Sequence, residues 1–204
     1  MALVHQARLA PSKLEVLGAW LPSRPWFVGK GELERAGSYR FDDPAGEVGI
    51  ECIIVRAGTG PWLHVPLTYR GTPLDESHAS LVGIMEHSVL GKRWIYDGAT
   101  DSVAVDAIAR AITTGASGAP VTVEIDGVLT TLPVEIAVHG TGASGVIGFE
   151  LIEAEGETEA VTTTLMHTYE LDIVRLLGTN LNLREQLLGE WSGQAAVTLA
   201  GIRR

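Results

Sequence analysis

The chain has 204 residues, 46% of them hydrophobic and 20% charged, a composition that fits one globular domain or two small ones and excludes a disordered chain. Fifteen basic residues against 25 acidic ones leave a net charge of −10, which argues against a surface for nucleic acid or an anionic membrane, since both need clustered Lys and Arg. No run approaches the roughly 18 apolar residues of a membrane span, the first ten residues lack the blocks of a secretory leader, and Cys52 is the single cysteine, so the expected location is a reducing cytoplasm.

The first element in chain order is a helix with a clear start. Ser12-Lys13-Leu14-Glu15 forms a capping box, Leu14, Leu17 and Leu21 share a face, and Pro22 ends the run. A compact turn, Trp26-Phe27-Val28-Gly29-Lys30-Gly31, follows, and from Ser38 the pattern becomes that of strands. Residues 49–57 and 62–69 read as a hairpin closed by Gly58-Thr59-Gly60, and residues 81–88 and 92–96 as another around Leu90-Gly91. Cys52, inside the apolar run of 50–55, is expected to be a small core residue. A second helix is expected over residues 102–113, with Asp101 as N-cap, Val105, Ile108, Ala109 and Ile112 on one face, and Gly115 at its end.

Residues 113–120 (TTGASGAP) read as a linker. Beyond it, Asp126-Gly127 signals a hairpin between 121–125 and a strand from 128. Residues 134–138, 146–154 and 158–168 continue as strands, the last two turned by Gly156. Residues 171–177 and 183–188 fit helix or strand, and 195–202 closes the chain as a strand. The resulting class is α+β, with a mostly antiparallel sheet and few helices.

No motif supplies catalytic machinery. Gly140-Thr141-Gly142-Ala143-Ser144-Gly145 spells G-x-G-x-x-G, but residues 146–151 look like a strand, so no helix N-terminus would face a pyrophosphate. A kinase-type glycine loop needs a lysine on a later strand, and the only lysines are Lys13, Lys30 and Lys92. None of the six histidines begins an H-x-D loop, and neither Gly29-Lys30 nor Gly91-Lys92 continues to the Ser/Thr of a Walker A sequence. Glu86-His87 lacks the second histidine of a zinc motif, and His64, His78, His87, His139 and His167 are scattered singly. Ser144 near His139 lacks the nucleophile elbow. The acidic run Glu150, Glu153, Glu155, Glu157 and Glu159 reads as a solvated strand edge. No catalytic residue, cofactor or metal is therefore expected.

Trp26, Lys30, Tyr69, Arg70, Trp94 and Tyr96 gather at turns and strand ends. Each tryptophan can be a core residue with one donor to satisfy, or part of a recognition patch, where Trp, Tyr and Arg are enriched.

Three stretches, in order, resemble the N-terminal cap domain of actinobacterial maltokinases. Leu21-Pro22-Ser23-Arg24-Pro25-Trp26-Phe27-Val28-Gly29-Lys30 is similar to the family's L-P-x-x-R-W-F-A-G-K, with Pro25 between arginine and tryptophan and valine in place of alanine. His64-Val65-Pro66-Leu67-Thr68-Tyr69-Arg70-Gly71-Thr72-Pro73-Leu74 is similar to P-L-x-Y-R-x-x-P-L, and Arg93-Trp94-Ile95-Tyr96-Asp97-Gly98, with Asp101, to the Tyr-Asp pair before the cap's helix. The resemblance covers roughly residues 10–115. It implies a curved, cystatin-like antiparallel sheet packed on helices, a domain that carries no catalytic residue even inside the kinases. The expected organisation is a cap-like domain over 1–116 and a strand-rich extension over 117–204, either separate or continuous with the same sheet; residues 121–204 do not resemble the kinase core.

Two functions follow as expectations, ahead of a third alternative, an enzyme whose site is built from dispersed residues such as His64 or His139. One is a non-catalytic interaction or regulatory protein with a protein partner in maltose, trehalose or α-glucan metabolism, its partner-binding candidates being Trp26, Lys30, Tyr69 and Arg70. The other is a binder of a small ligand, a sugar or apolar molecule, on the concave face of the sheet.

Overall fold

A computed structural model describes residues 2–4, 7–75, 79–125, 127–143, 151–166 and 169–203. The chain opens with two short strands, β1 (Ala2–Val4) and β2 (Leu9–Ala10), before helix α1 (Lys13–Trp20). The capping box forms as expected: Ser12 Oγ accepts from the Glu15 amide, and the Glu15 carboxylate from the Ser12 amide at 2.8 Å. Pro22 does not follow the helix directly. It sits in a single 3-10 turn, Leu21–Ser23, where a missing amide hydrogen costs nothing.

Five strands follow: β3 (Leu33–Phe41), β4 (Gly49–Ala57), β5 (Leu63–Arg70), β6 (Leu81–His87) and β7 (Gly91–Asp97). The first begins earlier than the expected Ser38. Its start is disguised by Glu34 and Arg35, which sit on an edge strand and pair with Arg56 and Glu135. Helix α2 (Ser102–Thr114) is capped by Asp101, whose side chain accepts from the Val103 amide, and ends on Gly115 at φ 71°.

The second half holds β8 (Val121–Ile125), β9 (Val128–Thr131), β10 (Ala137–Gly140), β11 (Leu151–Glu157), β12 (Val161–Met166), β13 (Glu170–Val174), β14 (Glu185–Trp191) and β15 (Gln194–Arg203). Both ambiguous segments are therefore strands. Of residues 134–138, expected as a strand, 134–136 precede β10 as irregular chain. Gly156 is not a turn residue. It lies inside β11 at a register shift against β12, and the turn is formed by residues 158–160, where Thr158 Oγ1 accepts from the Val161 amide.

The strands form three sheets: β1-β8-β9, with β1 parallel to β8; β2-β6-β7-β5-β4-β3; and β10-β14-β15-β13-β12-β11. Nearly every pairing is antiparallel, and a curled, half-barrel sheet is among them, so the α+β, antiparallel expectation matches the structure. The strand β4, next to the edge strand β3, is buried on both faces, and its alternation divides the core. Ile53 and Val55 face a cluster with Val16, Leu17, Trp20, Trp26, Leu67, Met85 and Ile95, which carries α1. Ile50, Cys52 and Ile54 face a second cluster with Val105, Ile108 and Ile112 of α2 and Leu171, Ile173, Leu187 and Ile202 of the third sheet. Residues from both sides of position 116 thus share one core.

Main-chain bonds reinforce that join. The His64 amide donates to the Arg175 carbonyl and the Leu177 amide to the Trp62 carbonyl, both at 2.9 Å, along the part of β5 that β7 leaves open. The expected linker is held rather than free: the Gly118 amide donates to the Val138 carbonyl, the Ala119 amide to Arg40, and Ser117 bridges to His139.

Candidate functional site

The four sequence-predicted recognition residues occupy different environments. Trp26 is fully buried, stacked edge-on against Trp20 at 5.6 Å, and its Nε1 donates to Glu157 Oε1 at 3.1 Å. The Arg175 guanidinium lies over its ring at 4.8 Å. Lys30 is exposed. Arg70 makes a two-point ion pair with the buried Asp101 carboxylate, through Nε and Nη2 at 2.7 Å each, and Thr68 Oγ1 donates to the same carboxylate. Tyr69 alone of the four lines a cleft.

That cleft, about 600 Å³, opens at one end of the second sheet, beside α1. Such a volume lies within the range of small-molecule sites. Lys13, Arg40, Tyr69 and Arg93 line it with apolar neighbours such as Met85 and Ile50. Beneath this lining lies Glu51, a carboxylate 3% exposed in the run Gly49–Ala57. It faces α1 because strand alternation places it on the side of Ile53 and Val55. Lys13 Nζ donates to it, the Arg40 guanidinium approaches it at 3.2 Å, Tyr69 Oη donates at 3.0 Å and Ser38 Oγ at 3.1 Å.

Burial alone would raise the Glu51 pKa, but the positive charges of Arg40 and Lys13 and the donated hydrogen bonds bring it down to about 2. It is therefore ionised. Burial lowers the pKa of Lys13, with Glu51 opposing and Arg40 and Arg35 adding to the effect. Burial and the neighbouring Glu51 hold the Tyr69 phenol well above its ordinary value, so it stays a donor.

Two ordered turns frame the opening. In the turn between β3 and β4, Asp43 accepts from the amides of Ala45, Glu47 and Val48, at 2.9–3.0 Å. In the turn between β6 and β7, His87 Nδ1 accepts from the Leu90 amide at 3.0 Å and Arg93 donates to the Leu90 carbonyl.

The sequence offered one signal for this site, a glutamate within an apolar strand run. Its partners come from a helix start and two other strands, and only the strand register brings them together. The glycine stretch has a packing role instead. Gly140 and Gly142 pass the C-terminal end of α2 so closely that a Cβ on Gly142 would stand 2.6 Å from the Ile112 carbonyl oxygen, and the Gly142 amide donates to that oxygen at 2.8 Å. A helix C-terminus repels phosphate. Ser144, Gly145 and residues 146–150 lie outside the described residues, as do His78 and His167.

His64 is buried and neutral: its Nδ1–H donates to the Val174 carbonyl at 3.1 Å, and its Nε2 accepts from Tyr39 Oη at 2.8 Å. Among the described residues no group of three or more His, Cys, Asp or Glu could hold a metal ion, and no helix is long and apolar enough to cross a membrane.

An antiparallel sheet flanked by a helix on each face, with a ligand-sized cleft at its end, makes an α+β fold. Residues 20–101 match the family model of the maltokinase N-terminal cap domain, and all three stretches that suggested the resemblance fall inside that match. No match to a curated protein is found.

Proposed function

We propose that the chain is a non-catalytic regulatory or interaction protein of maltose, trehalose or α-glucan metabolism, and that it binds a small polar ligand of the sugar class in the cleft beside α1. The cleft carries this reading: an aromatic residue, Tyr69, stands beside paired charges and apolar side chains in a space of ligand size. The metabolic setting rests on the cap-family match over residues 20–101. The non-catalytic part rests on the chemistry of the lining, in which Glu51 is fully ionised behind its partners and Tyr69 is kept protonated, so neither is poised for proton transfer near neutral pH.

Thermal-shift titration with maltose, trehalose, glucosamine, their phosphorylated forms and nucleotides tests the proposal. A saturable rise in Tm with at least one sugar, lost in Tyr69→Ala, is the expected result. A flat response to the whole panel would overturn it.

A further inference from the structure

The charges of the cleft specify more than its size. Among the described residues Lys13, Arg40 and Arg93 contribute three cations to the lining, and the buried carboxylate beneath them is that of Glu51. Lys13 and Arg40 converge on that carboxylate together, so two positive charges meet one negative charge on the floor. The excess costs energy in a half-buried place, since like charges in a poorly solvated site repel one another. Burial first, and then the charges of Arg40 and Arg35, lower the pKa of Lys13, with Glu51 opposing them.

Arg93 adds a second, independent observation. Its Nη2 is used on the Leu90 carbonyl of the adjacent turn, while its Nε is buried and has no partner among the described residues. Buried guanidinium donors are normally satisfied, because an unpaired one carries the whole desolvation penalty. Arg93 lines the cleft, so an acceptor brought there lies beside this guanidinium.

The rim has the opposite character. Asp42, Asp43 and Glu47 belong to the turn that frames the opening. Asp43 is committed to that turn by three amide bonds, and Glu47 is exposed. Carboxylates at the mouth accept hydroxyl hydrogens and repel a polyanion, so a long phosphate chain or a nucleic acid would not enter. A cationic floor below an acidic mouth suits a molecule with one anionic group at one end and hydroxyls at the other.

We infer that the cleft takes a small hydroxylated anion, a sugar phosphate or sugar acid, with its anionic group on Arg40 and Arg93 and its hydroxyls toward Tyr69 and the acidic turn. This inference deepens the proposed function and rests on it. Glu51 is then the anchor that holds Lys13 and Arg40 in place, and the ligand completes the neutralisation that Glu51 leaves half done.

The test is isothermal titration of the full chain with glucose 6-phosphate, glucuronate, maltose and inorganic phosphate, at low and at moderate salt. Binding of glucose 6-phosphate or glucuronate about tenfold or more tighter than maltose, and weakening as salt is raised, is the expected result. The first two probes distinguish phosphate from carboxylate as the preferred anion. Inorganic phosphate is expected to bind more weakly than glucose 6-phosphate, because it lacks the hydroxyls.

Arg93→Gln, on a partly exposed side chain, should reduce the affinity for the anionic sugar by about tenfold or more while leaving Tm unchanged within a few degrees. Arg40→Gln should do the same, with a larger effect on Tm. Maltose binding as tightly as the anionic sugars, or an Arg93→Gln protein that binds them unchanged, overturns the anionic assignment and leaves the sugar-binding reading standing. No heat and no Tm shift from any of the probes overturns both.

Discussion

At the scale of single residues, the buried polar groups are more informative than the apolar ones, because each had to be matched individually. His64 illustrates this. Burial, and then the positive charge of Arg175 nearby, lower its pKa from 6.5 to about 3. The unfolded chain therefore binds a proton at this position between pH 6.5 and about 3, where the folded chain does not. Its contribution to stability is complete above pH 6.5 and is lost progressively as pH falls toward 3. Glu51 acts in a lower window: its depressed pKa contributes stability present above about 4.5 and lost as pH falls toward about 2. Urea unfolding at about pH 7.5 and about pH 5 separates the two, since Glu51 is still largely ionised in both states there. His64 alone is expected to cost about 2 kcal/mol over that interval. His64→Gln, which keeps a donor for Val174, should flatten the dependence. An equally steep loss of stability in the variant would show that the proton is taken up elsewhere.

At the scale of elements, the hairpins were legible and their partners were not. Gly58-Thr59-Gly60 and Leu90-Gly91 close β4–β5 and β6–β7 as expected, because turn chemistry and alternation are local. The run 171–177 was ambiguous because successive residues of β13, Leu171 to Val174, are all buried, and a strand covered on both faces loses its alternation. What the sequence could not convey was the seam between the halves. Arg24, Trp26 and Asp97, which belong to the cap-like stretches, all bind residues of the second half: Glu157 receives Arg24 and Trp26, and Arg175 grips Asp97 through Nη2 at 2.6 and 2.7 Å. Trp26 looked like a recognition hot spot, and its partners are in its own chain. Arg175 and Asp97 are 0% and 1% exposed, and Arg175 Nε also donates to Thr162. Removing one member of such a pair leaves the other charged and buried. Asp97→Ala is therefore expected to lower the unfolding free energy by about 3–5 kcal/mol in denaturant titration. Adding Arg175→Met should recover much of that loss. A single variant near wild-type stability would mean that the pair does not fasten the seam.

At the scale of the whole molecule, the seam bears on how the chain folds. Residues 20–101 match a cap domain, which invites the view that the first 116 residues stand alone. The core argues otherwise. The α2 face of β4, with Cys52 and Ile54, shares its cluster with Leu171, Leu187, Leu199 and Ile202, so a chain cut at 116 would expose much of that face to water. It would also leave Asp97 without Arg175, and the β5 edge without the residues that bond to Trp62 and His64. The strand β1 would lose its pairing to β8, the only one it makes among the described residues. Apolar exposure and unpaired buried groups both act against a chain of that size, which has little stability in reserve. The full chain is therefore expected to unfold in a single calorimetric transition, with equal calorimetric and van't Hoff enthalpies. A fragment of residues 1–116 is expected to lack near-UV circular dichroism and to melt without a cooperative step. A fragment that melts sharply and retains its near-UV signal would show that the cap-like half is a unit of its own, and that the shared core only joins two finished domains. The cleft gives the distinction a functional consequence. Every described residue lining it lies in the first half, so an independently folded fragment would keep those residues of the ligand site, whereas a chain that folds as one unit makes ligand binding report on the integrity of both halves.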